Sequence, residues 1–273
     1  MTSQRWAVFQ TNTTENIDEN KRHIERLLES DDAIQSEVWV FPECSGYRYM
    51  GKGLLKFFKR TDNIVPWFQE LAKCHQKWLI MGSFFEKVEG QRKAYNTCVV
   101  INPEGDIVET YRKIHLFDVD VESISMRESS AFLPGDSPKI VQIGPFKIGL
   151  SICFDCRFPE LYRVYADEGC DVVVIPSSFT TPTGMLHWHT LCRARAIENQ
   201  CYVVAPNQSG IGANQVPTYG HSMIVDPSGS IVQEAPQEGE SVLSYVLKKE
   251  CIQAIRHTFP VLECRRIGKG RSI

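Results

Sequence analysis

Three side chains with reactive groups stand at the ends of apolar, β-type runs in this sequence: Glu43, Lys113 and Cys153. The run 147–152 leads into Cys153, and Arg157-Phe158-Pro159-Glu160-Leu161 then opens a helical pattern, so the thiol is expected at a strand-to-helix turn. Unsatisfied amide N–H groups at a helix start lower a thiol pKa and hold a developing oxyanion, so an activated nucleophile is the expectation there. The strand 38–41 runs into Pro42 and Glu43, a carboxylate placed to take a proton, and Lys113 lies just beyond the strand 107–111. A thiol nucleophile, a carboxylate that accepts its proton and later activates water, and a fixed cation facing a tetrahedral oxyanion are what amide hydrolysis requires. Each residue also has an ordinary reading: core filling for the cysteine, a solvated loop for the glutamate, an exposed surface for the lysine.

The elements that must position these groups alternate. Short apolar runs at 6–9, 38–41, 78–85, 97–101, 147–153, 171–175, 201–205, 221–225 and 241–247 read as strands. Helical spacing at 15–28, 64–74, 159–168 and 187–199 falls between several of them. Turn residues at 102–106 and 226–229 join two strand pairs directly, which makes the sheets mixed. The alternation predicts an α/β fold of sheet covered by helices, with residues 1–273 as a single domain, since no linker or repeat divides them. Segment 121–137 reads as a long irregular loop, and 180–186 as a second loop that shapes the pocket.

Bulk properties narrow the class. With 42% hydrophobic and 23% charged residues the composition is that of an ordinary globular protein. A net charge of -3 and a pI near 6.2 give no electrostatic reason for nucleic acid or an anionic membrane as the main partner. Residues 1–10 show no secretion signal and no run of about eighteen apolar residues occurs, so a cytoplasmic protein acting on a small molecule is expected. The ten cysteines are scattered through apolar segments, as reduced thiols rather than a disulfide frame.

Phe41-Pro42-Glu43, Tyr111-Arg112-Lys113-Ile114-His115-Leu116 and Cys153-Phe154-Asp155-Cys156-Arg157-Phe158-Pro159-Glu160, in this order and spacing, resemble the nitrilase superfamily over essentially the whole chain. The resemblance implies a four-layer α-β-β-α sandwich with two mixed sheets, homodimerisation, no metal or other cofactor, and a Glu43-Lys113-Cys153 triad working through a covalent thioester that releases ammonia or an amine. It also implies a supporting role for Glu128, within Met126-Arg127-Glu128-Ser129, and a carboxylate-binding role for Arg157, whose guanidinium chemistry suits it. Phe154, Thr183 and Tyr47 are further candidates for the substrate pocket. Arg193-Ala194-Arg195-Ala196-Ile197-Glu198, Cys201 to Ala205 and His221 to Pro227 look like the Nit group, nearest to its deaminated glutathione amidase branch. Residues 111–118 fit the omega-amidase branch almost as well. Both branches imply hydrolysis of a primary amide on a short 2-oxo dicarboxylate unit, and an N-carbamoyl amino acid hydrolase is a further alternative. One departure stands out: the Nit pattern carries His-Trp-Glu where this chain has His187-Trp188-His189.

A rival reading takes Cys153-Phe154-Asp155-Cys156 as a C-x-x-C thiol-disulfide redox motif between strand and helix. It leaves Glu43 and Lys113 without a role, and the motif lies past the middle of a long chain. A zinc site lacks a second close Cys or His pair to complete four ligands.

Overall fold

The computed structural model describes residues 2–48, 63–121, 124–211 and 215–267. Along the chain run β1 (Ser3–Gln10), α1 (Ile17–Leu28), α2 (Asp31–Gln35), β2 (Val38–Val40), α3 (Ile64–His75), β3 (Trp78–Ile80), β4 (Phe84–Lys87), β5 (Ala94–Ile101) and β6 (Ile107–Arg112). A hairpin of β7 (Asp118–Val121) and β8 (Ile124–Arg127) follows, then β9 (Ile140–Ile143), β10 (Phe146–Leu150), α4 (Pro159–Asp167), β11 (Val172–Val174) and α5 (Thr181–Asn199). The chain continues with β12 (Tyr202–Ala205), β13 (Met223–Val225), β14 (Ile231–Glu234), β15 (Ser241–Lys248) and α6 (Lys249–Thr258).

Two mixed sheets result. The first has the order β15-β1-β2-β3-β5-β4, with β6 also paired to β5; β1, β2 and β3 are parallel, and β15 runs antiparallel to β1 along its whole length. The second has the order β14-β13-β12-β11-β10-β9, with β10, β11 and β12 parallel. The period-2 alternation of β1 sorts its side chains: Ala7 and Phe9 pack with Ile24 and Leu28 of α1 and Phe68 of α3, while Trp6 and Val8 join the core shared with β10 and β11. Leu161 and Tyr165 of α4 and Trp188 and Cys192 of α5 cover the far side of the second sheet. This is the expected α-β-β-α sandwich. The central strands β2, β11, β12 and β13 are buried on both faces, which is why they read as continuous apolar runs.

Three expectations are corrected. The run 78–85 is two strands, broken at Gly82, whose φ of 84° and lack of a Cβ allow the backbone to pass against Pro42; a Cβ there would lie 1.9 Å from the Pro42 carbonyl oxygen. Segment 121–137 is not an irregular loop throughout: β7 and β8 pair from Asp118 with Arg127 to Val121 with Ile124, and a 3-10 turn covers Glu128–Ser130, while residues 122 and 123 lie outside those described. Segment 180–186 is the N-cap and first turns of α5, which starts six residues earlier than its apolar spacing suggested because Pro182 occupies the first turn.

Candidate active site

Glu43, Lys113 and Cys153 each follow a strand end, β2 and β6 in the first sheet and β10 in the second, and the facing of the two sheets brings them together. Lys113 is 1% exposed, and its Nζ lies 3.0 Å from Glu43 Oε1 and 2.9 Å from Glu128 Oε2. Burial disfavours its ammonium, but the charges of Glu128, Glu43 and Cys153 outweigh that cost and hold its pKa well above the ordinary lysine value. The lysine is therefore a permanent buried cation between two carboxylates.

Glu43 is 4% exposed and is oriented by two further donors, Asn96 Nδ2 on Oε1 at 2.8 Å and the Ser178 amide on Oε2 at 2.9 Å. The same Ser178 amide also pulls the Cys153 thiol pKa down, so one N–H acts on both the carboxylate and the thiol. Glu128, at the start of its 3-10 turn, accepts the Phe117 amide at 2.7 Å. Burial, the largest influence, raises its carboxyl pKa, with Lys113 pulling down and Glu43 pushing up.

Cys153 has φ 46°, a left-handed conformation uncommon for a residue with a side chain, and its amide donates to the Pro176 carbonyl at 2.9 Å. It opens a 3-10 turn, Cys153–Arg157, with α4 beginning only at Pro159. The expectation that this turn lowers the thiol pKa is overturned. Burial and the Glu43 charge drive the pKa well above the ordinary thiol value, and Lys113 and the Ser178 amide recover only part of it. A thiol that is protonated at rest needs a base beside it, and Glu43 is that neighbour.

A buried carboxylate that sequence reasoning missed locks this turn to the lysine segment. Asp155 accepts the Tyr111 hydroxyl at 2.7 Å and the Ile152 amide at 2.8 Å on one oxygen, and the His115 amide at 2.9 Å on the other. Tyr111 and His115 flank Lys113, so the Cys153 turn and the cation are held by one group. Close packing at Gly135 completes the hold: its amide donates to the Lys113 carbonyl at 2.8 Å, and a Cβ would lie 2.1 Å from the Arg112 carbonyl oxygen. Asn96, beside Thr97, and Asp155, two residues before Arg157, stand in mixed stretches whose local pattern does not single them out. Arg48, buried at 2% exposure, fixes the segment after Glu43 through bonds to the carbonyls of Thr13, Ser209 and Ile211.

The remaining candidates separate. Arg157 is partly buried, its guanidinium lying 5.7 Å from the Phe154 ring and 5.0 Å from that of Phe179, with Nη1 3.2 Å from His187 Nδ1. Desolvation and the Arg157 charge lower the His187 pKa, so a neutral imidazole accepts from the guanidinium. Among the described residues no acid pairs with Arg157, so the charge remains open to an anionic ligand. Phe154 also packs edge-on to Phe117 and Phe158. Tyr47 is buried in the turn after Glu43. Thr183 is spent on the start of α5, bonded to Thr180 Oγ1 at 2.8 Å. His189, where the Nit motif is broken, faces His221 and Glu234.

A buried thiol, a carboxylate and an ammonium converging between two facing sheets of an α-β-β-α sandwich define a hydrolase of carbon–nitrogen bonds, and the comparisons agree. The carbon-nitrogen hydrolase family model matches residues 5–257, and the chain belongs to that family, in the Nit branch of the nitrilase superfamily. A deaminated glutathione amidase of Dictyostelium discoideum is 34% identical over 97% of this chain and 94% of its own length. The omega-amidase NIT3 of Saccharomyces cerevisiae is 35% identical over 92% of this chain and 87% of its own. Among solved structures, the C. elegans NitFhit protein superposes with a TM-score of 0.91 at 32% identity, over 97% of this chain and 66% of that one. Saccharomyces cerevisiae Nit3 gives 0.84 at 30% identity over 97% of both chains.

Proposed function

We propose that this chain, as one carbon-nitrogen hydrolase domain, is a cysteine amidase that releases ammonia from the primary amide of a deaminated glutathione-like 2-oxo acid. The observation that carries the reading is the buried Lys113, ion-paired to Glu43 and Glu128 beside Cys153. Glu43 takes the thiol proton as sulfur attacks the amide carbon, and the oxyanion forms against the Lys113 ammonium. Collapse of the tetrahedral adduct, with the proton passed from Glu43 to nitrogen, expels ammonia and leaves a thioester. Water then gives a proton to Glu43 and attacks the thioester, and the returning thiolate recovers that proton. Arg157, without an acidic partner among the described residues and walled by Phe154 and Phe179, is the group that receives the substrate carboxylate.

The omega-amidase reading, with 2-oxoglutaramate as substrate, has support of equal weight in the 35% identity to the yeast relative of that name. Ammonia release from deaminated glutathione, 2-oxoglutaramate and an N-carbamoyl amino acid, measured side by side, decides. Preferred turnover of the first is the expected result, preference for the second reassigns the branch, and turnover of none of them sinks the reading.

We infer a homodimer from the apolar side chains that α4 and α5 leave exposed, Val164, Met185, Leu186 and Ile197, with a second copy as the occupant the family resemblance implies. Sedimentation at twice the 31.1 kDa chain mass is expected, and a monomer at micromolar concentration would remove that inference. All ten cysteines are free, seven of them buried, which supports a reducing, cytoplasmic setting. No helix among the described residues is long and apolar enough to cross a membrane.

A further inference from the structure

His189 on α5, His221 two residues before β13 and Glu234 at the end of β14 are 45, 32 and 13 residues apart, yet converge. Glu234 Oε1 lies 2.8 Å from His189 Nε2 and 2.7 Å from His221 Nδ1, and all three donor atoms fall within 4.8 Å of one another. We propose that these residues form a binding site for a divalent transition metal ion such as zinc, cobalt or nickel. Two imidazoles and one carboxylate are a donor set that such ions favour over magnesium or calcium. Three protein ligands also leave at least one coordination position to solvent.

The geometry is close to what an ion needs. Metal–ligand lengths of about 2.0–2.2 Å in a tetrahedral site place donor atoms about 3.3 Å apart. Entry of the ion therefore requires the two short contacts to open by about half an ångström, while each imidazole carries its proton on the ring nitrogen that does not face Glu234. The side chains are 34%, 23% and 33% exposed, which gives an ion a way in.

The frame around them is fixed. Trp188, next to His189 on α5, donates its indole N–H to the His221 carbonyl at 2.8 Å, so the two histidine backbones are tied to each other. His221 adopts a left-handed φ of 51°, its amide donates to the Pro236 carbonyl, and Tyr219 packs 4.5 Å from its ring. Such outer contacts orient ligands before an ion arrives. The ion clasps α5 to the β13–β14 hairpin. On the same helix, two residues before His189, stands His187, the neighbour of Arg157, so occupancy stiffens the segment beside the site without entering it. Sequence reading could not find this set, because its three members come from three elements and lack the short spacing of a metal motif.

Cobalt(II) chloride titrated into the purified full-length protein tests the site. One ion per chain is expected, giving visible d–d bands without a sulfur charge-transfer band, and a higher melting temperature. His189→Gln and Glu234→Gln should each weaken binding at least about tenfold and lose the melting shift. Should either variant fail to fold, cobalt protection of His189 and His221 from diethyl pyrocarbonate, mapped by mass spectrometry in the wild-type chain, gives the same reading. Absence of binding, a sulfur band, unchanged affinity in both variants, or no protection of the two histidines would overturn the proposal.

Discussion

Cys153→Ala is expected to lower amide turnover by about five to six orders of magnitude, because the nucleophile of a covalent mechanism has no substitute in the site. The acyl adduct that intact-mass measurement should trap on the wild-type chain with substrate disappears in the variant. Cys156→Ala should behave in the opposite manner, keeping turnover within about twofold of wild type while losing on the order of 1 kcal/mol of stability for one deleted buried group. Cys156 is fully buried, and burial, partly offset by Arg157, pushes its thiol up to about 12. A thiol held that far above neutral pH is a poor redox partner. Equal loss in both variants would mean that the two sulfurs act together, and Cys156 would then be part of the hydrolytic site.

What the sequence made legible were positions at strand ends, because an apolar run followed by a charged or nucleophilic residue marks where a buried strand leaves its sheet. Glu43, Lys113 and Cys153 were found in that way, and the sandwich followed from the alternation of runs and helices together with the resemblance. Electrostatics was misread. The thiol pKa expected from the turn alone had the wrong sign, since its true setting includes Glu43 from the other sheet and the desolvation of a site closed by both. Asn96 and Ser178, which aim Glu43, and Asp155, which joins the lysine and cysteine segments, act through contacts 40 to 135 residues apart that no local pattern encodes. The β7–β8 hairpin was hidden for another reason: Asp118, Asp120, Ser125 and Arg127 give its strands too little apolar character to register as β structure.

Lys113→Met tests the electrostatic argument itself, because it removes a charge while keeping most of the volume. Turnover should fall by about three orders of magnitude or more, as the oxyanion loses its cation. The second consequence is in the fold. Lys113 compensates Glu43 and Glu128, and without it two like charges share one enclosed space, at a cost of about 3–5 kcal/mol near neutral pH. That cost depends on pH in a predictable direction. Burial raises the Glu128 carboxyl pKa in the wild-type chain, and Lys113 is the principal influence pulling it down, so the variant raises it further. The folded variant then binds more protons than its unfolded chain at pH values above the unfolded carboxyl pKa of about 4.3, and its stability falls as pH rises through that window. Urea unfolding at pH 5 and pH 8 should therefore show a small deficit relative to wild type at the lower pH and a large one at the higher. A deficit equal at both would mean that Lys113 stabilises the fold by packing, and that the two carboxylates do not need it as a counter-charge.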